Sequence, residues 1–412
     1  MNNYFDVEDT IYDITEKYPE TIDVFVSNGF KQLSNEKMRR IMGKTISLNM
    51  ACKSKRVNVE LFTQKLIKAI ERNRGVLATG MISSVKEDGG DIRIEGVLPC
   101  PVRIPLLEGF DNWIRENEDR LKFKVDYELK SAHIGVDWIR EKIKTEDEDT
   151  LSDLFISAGF DLFFDKSLMG RFKSKGVFED MSGLDRLNQD FDNDYIDLKD
   201  PQRQYSIIGV VPAVFVVNTE ELGGRNFPTS WADLLKPEFE NSISLPIHDF
   251  DLFNAILLNI YKHYGEEGIY KLGKSMLRSM HPAEMVKSHI KKRNHTIPTI
   301  TVMPYIFIQM IKPDSPLKPV WPEDGSIISP IFLLAKRRSR DRVKPFVDFF
   351  FSRELGDILS NNGKFPSTNP NVENNLEEGS KFMWLGWDYI NNNDIGELIR
   401  KCEDIFHSGV RR

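Results

Sequence analysis

Ile207-Ile208-Gly209-Val210-Val211-Pro212-Ala213-Val214-Phe215-Val216-Val217 is the stretch from which the fold reads outward. Seven of its eleven residues are β-branched, and none is charged. That composition reads as a strand buried on both faces. Pro212 cannot donate to a central ladder, so the run reads as a bent strand that crosses between two sheets. A second run of the same character occupies 327–334. Around these two, short apolar runs alternate with helical spacing. Strands are expected over 92–98, 123–129, 151–156, 243–245 and 299–303. Helices are expected over 105–119, 135–143, 228–235, 250–264, 269–280, 343–351 and 355–361, with another closing the chain. Thr229 or Ser230 would cap the helix at 228–235, and Asp249 and Asp251 would cap the one from 250. Strand and helix in alternation predict an α/β fold, a mainly parallel sheet with helices on both faces.

A chain of 412 residues has room for two or three compact units. Its 40% hydrophobic and 29% charged residues are those of a globular protein, which excludes a disordered or fibrous chain. The net charge of −7 gives no basic balance for nucleic acid, and the short basic run at 287–293 reads as a solvated face. No apolar run reaches the roughly 20 residues that span a bilayer. The opening residues Met1-Asn2-Asn3-Tyr4-Phe5-Asp6 carry neither a basic nor an apolar signal region, so a cytoplasmic location is expected. Cys52, Cys100 and Cys402 are too few and scattered for a disulfide framework.

Residues 9–72 carry their own helical periodicity. Asp9-Thr10 caps a first helix, Pro19 restarts a second, and Gly29 closes it. Further helices are expected over 35–42, 46–51 and 59–70. Ile14, Val24, Phe25, Phe30, Met38, Ile41, Leu48, Leu61, Phe62, Leu66 and Ile70 are the expected core. Cys52 reads as a small buried hydrophobe. The strings Thr10-Ile11-Tyr12-Asp13-Ile14, Tyr18-Pro19-Glu20-Thr21, Val24-Phe25 and Asn28-Gly29-Phe30 resemble a small helical domain at the front of some iron–sulphur repair and redox proteins. Many of those relatives carry a cysteine pair after the Gly-Phe, where this chain has Lys31-Gln32-Leu33-Ser34.

A more specific resemblance lies in two later segments. One runs from Gly209-Val210-Val211-Pro212 through Phe215-Val216-Val217-Asn218 to Pro228-Thr229-Ser230-Trp231-Ala232-Asp233-Leu234-Leu235-Lys236-Pro237-Glu238-Phe239. The other is Trp321-Pro322-Glu323-Asp324-Gly325-Ser326-Ile327-Ile328-Ser329-Pro330, with Phe346-Val347-Asp348-Phe349 and Gly363-Lys364-Phe365-Pro366 after it. Together they resemble type II solute-binding components of bacterial uptake transporters, in particular the ferric-iron branch. The resemblance implies a two-lobed type II periplasmic-binding-protein fold whose hinge is the pair of crossing strands, preceded here by a small all-α domain. The expected division is a helical domain at 1–74, a linker at 75–91 and a solute-binding domain at 92–412. Lobe one would take 92–205 and 328–412, and lobe two 211–325. Relatives of this kind are usually exported and feed an ABC transporter.

The expected site lies where strand ends face each other across the lobes, since ligands of open α/β sheets sit beyond the carboxyl ends of strands. On this reading Cys100, Pro101, Ser131, His133, Ser157, Gly159, His248, Tyr305 and Trp321 line the cleft. Helix N-termini there suit an anion or a carboxylated organic molecule. A metal ion is the one cofactor left open, with Cys100, His133, His248 and Tyr305 as its candidate ligands. Ferric binders of this family usually present adjacent tyrosines, and this chain has no Tyr-Tyr pair. The balance favours a small organic or anionic ligand. No nucleophile elbow, P-loop, dinucleotide fingerprint or HExxH marks an enzyme. The expected partners are the ligand and a transporter. An intracellular protein is the alternative partner, with the chain then a cytoplasmic sensor or adaptor that contacts it through the helical domain.

Overall fold

The structure, a computed structural model, describes residues 4–27, 30–55, 59, 62–63, 66–67, 69–70, 91–121, 123–131, 136–247, 251–280, 282–290, 296–362 and 364–410. The expected linker at 75–91 lies outside the described residues apart from Asp91. Two compact units emerge: residues 1–90 with 124–127, and residues 91–123 with 128–412.

The first unit is helical. α1 (Ile11–Lys17) begins at Thr10, whose side chain accepts from the amide of Asp13. α2 (Thr21–Ser27) follows the Pro19 restart, and α3 (Leu48–Ser54) is capped by Ser47. The unit is held by packed rings, with Phe25, Phe30 and Phe62 at centroid separations of 5.3–5.7 Å. Ile14, Leu48, Leu66 and Ile70 are buried with them. Leu61 lies outside the described residues. Ile41 departs from expectation and is 68% exposed, because the turn of helix over Arg39–Gly43 is π-helical and shifts the face it presents. Cys52 is fully buried, and burial pushes its thiol above the usual range.

Among the described residues eleven strands form one hydrogen-bonded network, and the second unit is built on it. β1 (Ile92–Leu98) leads into α4 (Cys100–Glu116). That helix starts five residues before the expected 105, because proline in a first turn gives up an amide that has no partner there anyway. β2 (Val125–Ser131), α5 (Asp137–Thr145), β3 (Leu154–Ser157), α6 (Phe160–Phe164) and β4 (Phe178–Glu179) come next. β5 (Ser206–Asn218) is followed by α7 (Trp231–Leu234), β6 (Ile243–Leu245) and α8 (Leu252–Ser275). β7 (Met276–Ser279), β8 (Ile300–Pro304), β9 (Leu317–Val320) and β10 (Ser326–Lys336) complete the sheet's main body. α9 (Arg340–Phe350), β11 (Phe382–Met383) and α10 (Ile395–Val410) end the chain.

The strand order is β2-β1-β3-β10-β5-β8-β6-β7. β1 and β3 are parallel, as are β6 with β8 and β6 with β7. β5 and β10 are the crossing strands that the β-branched runs implied. The first half of β5 pairs antiparallel with β10, from Ser206 opposite Leu333 to Pro212 opposite Ile328. The second half pairs with β8 and β9, from Ala213 opposite Pro304 to Asn218 opposite Leu317. β10 in turn pairs with β3 over Leu154–Ser157. Pro212 thus falls at the changeover, where the lost donor disturbs neither half. This is the curled, two-sheet arrangement of the type II periplasmic-binding fold.

α8 is not one straight helix. Gly265 adopts φ 65° and ψ −161° in its middle, which breaks the element in two. The stretch 276–279, expected as helix, is β7, because parallel pairing with β6 recruits it as a sheet edge. α10 packs on α8 through Phe406 against Phe253, and also reaches the α6 side of the sheet through Arg400 and Asp165, 2.6 Å apart. Among the described residues no helix is long and apolar enough to cross a membrane.

The two segments that carry the resemblance dock on each other. The Trp231 amide donates to Asp324 at 3.0 Å, and its indole Nε1 donates to the Gly325 carbonyl at 3.0 Å. Ser230 and Asp233 form a reciprocal capping box at the start of α7. Burial would raise the Asp233 carboxyl, but the Lys236 ammonium and donors on Thr229 and Ser230 outweigh it and hold it at about 2. Asp233→Ala is expected to cost about 1–2 kcal/mol in urea unfolding. A depressed carboxyl stabilises fully above its unfolded value near 3.8 and loses that contribution as pH falls towards about 2. The gap between Asp233→Ala and wild type should therefore narrow below pH 4, and a gap constant down to pH 2 would contradict this.

Candidate ligand site

The carboxyl ends of β3 and β8 approach each other along the crossing strands. β3 ends at Ser157, opposite Phe332 of β10, and Phe332 is opposite Ile207 of β5. β8 ends at Pro304, opposite Ala213 of β5. β6 runs parallel to β8 and ends on the same side. The turn after β3 and the start of α8, which follows β6, meet there through Phe160 and Asp251, and this is where a solute held between two halves would sit.

The turn after β3 is Ser157-Ala158-Gly159-Phe160. Ser157 is 1% exposed and its hydroxyl donates to the Ala158 carbonyl at 2.6 Å, so its side chain is satisfied inside the turn and does not line an open cleft. Gly159 takes φ 148°, a conformation that favours glycine, and turns the chain into α6. The Phe160 amide is thereby presented towards the loop after β6, and it donates to Asp251 Oδ2 at 2.7 Å. Asp251 stands at the start of α8, half-buried. It was expected to cap that helix, yet its side chain makes no capping bond there. Asn254 Nδ2 donates to its other oxygen at 2.8 Å. Burial pushes the Asp251 carboxyl well above the usual range and the neighbouring Asp161 adds to this, while the Phe160 amide, Asn254 and Arg140 act against it. Asp161 is itself paired with Arg140 of α5.

Tyr305 and Trp321 belong together but apart from this contact. Their rings meet edge-on at 5.2 Å, and Trp321 also packs on Phe382 at 5.4 Å. Trp321 Nε1 donates to the Lys381 carbonyl at 2.7 Å. Both rings pack beside Val214 and Val216, whereas Phe215 and Val217, on the opposite face of β5, join the core that includes α8. Tyr305 and Asp251 therefore sit on opposite faces of one strand layer. Burial raises the Tyr305 hydroxyl, with Glu377 adding to it. His133 and His248 lie outside the described residues, as do the side chains of Cys100, Pro101 and Ser131.

The sequence reading missed Asp251, Asp161 and Arg140 as neighbours of the β3 turn. One local signal pointed there, a carboxylate directly before a helix on a strand-end loop. The reading gave it the commoner role of a cap. Among the described residues, cavities border other side chains, including an open groove of about 890 Å³ lined by Lys199, Arg203, Lys262, Trp387, Tyr389 and Asn392 among others, and a smaller one of about 370 Å³ reached by Tyr195, Lys262, His263 and Lys381. Of the expected site residues whose side chains the structure describes, Ser157, Gly159, Tyr305 and Trp321, none lines either. Among the described residues no group of three or more His, Cys, Asp and Glu is placed to hold a metal ion.

A family described as bacterial extracellular solute-binding protein matches residues 149–393, and a domain of unknown function (DUF1858) matches residues 5–63. No curated protein matches the chain. Among solved structures, iron-bound HitA from Pseudomonas aeruginosa is 12% identical, with a TM-score of 0.54 over 76% of this chain and 98% of its own. The periplasmic binding protein AfuA from Actinobacillus pleuropneumoniae, with fructose-6-phosphate bound, is 17% identical, with a TM-score of 0.53 over 76% and 98%. A ferric binding protein from Campylobacter jejuni is 15% identical, with a TM-score of 0.52 over 77% and 99%. At these identities the likeness is one of fold.

Proposed function

The chain belongs to the bacterial extracellular solute-binding proteins, and from that premise we propose that it holds a small organic or anionic solute between the two halves of its second unit. The observation that carries this is the amide of Phe160, which donates to the Asp251 carboxylate from the other half of the unit. An amide that donates to an acceptor at that place suits an acceptor group on a solute that takes the place of Asp251. The similar folds are recorded with iron in one case and fructose-6-phosphate in another, so this architecture serves either class. The sugar-phosphate side is favoured here. Tyr305 has its ring packed edge-on against Trp321, and no second tyrosine stands beside it in the sequence, so the adjacent-tyrosine arrangement of ferric binders is not available here. A metal would need to draw on Cys100, His133 and His248 instead. On this reading the chain is a binder, not an enzyme, and its partner is a transporter that receives the solute.

Native mass spectrometry of the freshly purified chain, with metal analysis on the same sample, tests this. A discrete added mass of a few hundred daltons that leaves on unfolding is expected. Stoichiometric metal without an organic mass would replace the reading by the metal one.

A second reading is favoured by Ile41 and Met50, exposed by 68% and 58% on the helical unit. Here that unit, with its resemblance to the front domain of iron–sulphur repair and redox proteins, contacts a partner protein, and the chain acts as a cytoplasmic sensor or adaptor. Amide exchange over 36–54 that changes on addition of the partner would support it. Unchanged exchange with each candidate partner would remove it.

A further inference from the structure

We propose that the cavity bordered by Trp384 and Lys262 is a second binding site, one that takes the phosphate or carboxylate group of a small molecule. The site stands whether or not solute is held at Phe160. The observation behind it is a buried donor with nothing to donate to. Trp384 is nine-tenths buried, and its indole Nε1 has no hydrogen-bond partner among the described residues. The neighbouring indoles are satisfied. Trp321 Nε1 donates to the Lys381 carbonyl at 2.7 Å, and Trp387 Nε1 donates to the Leu198 carbonyl at 3.0 Å. An indole N–H can only donate, and a buried one ordinarily finds a partner. Trp384 borders the cavity of about 370 Å³, so an acceptor that enters there can meet it.

The charges around the cavity specify the acceptor. Lys262 of α8 borders both this cavity and the groove of about 890 Å³. Its ammonium donates to the carbonyl of Leu385 at 3.0 Å, the residue next to Trp384, so cation and indole converge on one loop. An ammonium has three donors, and among the described residues no carboxylate pairs with that of Lys262. Lys381, on the same wall, meets only the Tyr195 ring, at 6.0 Å. Two carboxylates also border the cavity, and both are engaged. Asn374 Nδ2 donates to Asp190 at 2.8 Å, and the Trp231 amide donates to Asp324 at 3.0 Å. Two unpaired ammonium groups beside an unmet N–H suit an oxyanion, whose oxygens accept from several donors at once. The place is separate from the Phe160 amide. Lys262 lies eleven residues along α8 from Asp251, about 16 Å at the helical rise. The Trp384 ring nonetheless packs on that of Phe160 at 6.0 Å, so a test must tell the two places apart.

The test is a proton–nitrogen correlation spectrum of the full chain labelled at tryptophan, in which each of the six indoles gives one signal. The signal lost in Trp384→Phe, which keeps a ring against Phe160, is that of Trp384. Inorganic phosphate or acetate, titrated against sodium chloride at equal ionic strength, is expected to move this signal saturably, and the anion that acts names the group. Lys262→Met is expected to raise the half-saturating concentration about tenfold, the effect of losing one charge-assisted hydrogen bond. A Trp384 signal unmoved by both anions, or moved alike by chloride, overturns the site and leaves water as the acceptor. A titration unchanged in Lys262→Met places the anion elsewhere, the Phe160 amide included, and overturns it too. Should Trp384→Phe not fold, calorimetric titration of wild type and Lys262→Met with the same anions carries the test. Equal affinities, or no saturable heat in either protein, then overturn it.

Discussion

Phe332→Ala is expected to lower stability by about 3–5 kcal/mol, the range for removing a large buried ring. Phe332 is fully buried on β10 at the point where β3 and β5 flank it. Its ring meets Phe164 at 5.3 Å, Phe163 at 5.6 Å and Phe160 at 5.9 Å, with Tyr205 and Trp387 both at 6.4 Å. All five of these contacts are edge-on, an arrangement aromatic pairs favour. The substitution removes the floor under α6 and so under the Phe160 amide. At about 2–4 °C per kcal/mol for a unit of this size, Tm should fall on the order of 10 °C. Solute affinity should fall as well, because the amide loses its fixed position. Phe332→Leu should recover more than half of the stability. A Tm within 2 °C of wild type for Phe332→Ala would mean that this cluster is not the centre of the fold.

Gly273→Ala is the second large effect. The α8–α10 crossing is so close that a Cβ on Gly273 would lie 2.2 Å from the Phe406 carbonyl oxygen and 3.1 Å from the Gly409 Cα. A Cβ on Gly409 would meet the Tyr270 carbonyl oxygen at 2.4 Å. These obstacles are backbone, so relief requires one helix to move as a body. The expected cost is about 3 kcal/mol, the upper part of the range for overpacking. α10 should then detach first, detected as cleavage within 395–410 by limited proteolysis while the sheet resists. Equal cleavage rates in wild type and Gly273→Ala would contradict the close crossing.

The crossing strands were legible because their signal is local. A long β-branched run with a proline at its centre restricts what a sheet can do with it, and Pro212 does fall at the changeover between partners. The alternation of elements was legible for the same reason. Boundaries set by tertiary pairing were not. Nothing in Met276-Leu277-Arg278-Ser279 favours an edge strand over a last helical turn, and only the neighbouring β6 decides it. Pro105 looked like a helix start because its missing amide is costly anywhere later, yet α4 runs through it.

The site was less legible, and for a physical reason. The strings that marked the family turn out to join Trp231 to Asp324 and Gly325. They secure the architecture, which is why they identify the family and say little about its ligand. Tyr305 and Trp321 follow strand ends as expected, but alternation along β5 places them on the other face from α8. Asp251 carries every local mark of a cap. Its actual acceptor role depends on an amide 91 residues away, which no local rule supplies.

The most direct test of the central claim, that solute is held between the halves of the second unit, is amide exchange of solute-bound against solute-stripped protein. The account predicts slowed exchange at the turn after β3 and at the start of α8, with changed rates along β5 and β10 where the halves pivot. Protection confined to the groove around Lys262 and Tyr389, with the β3 turn and α8 unchanged, would contradict it.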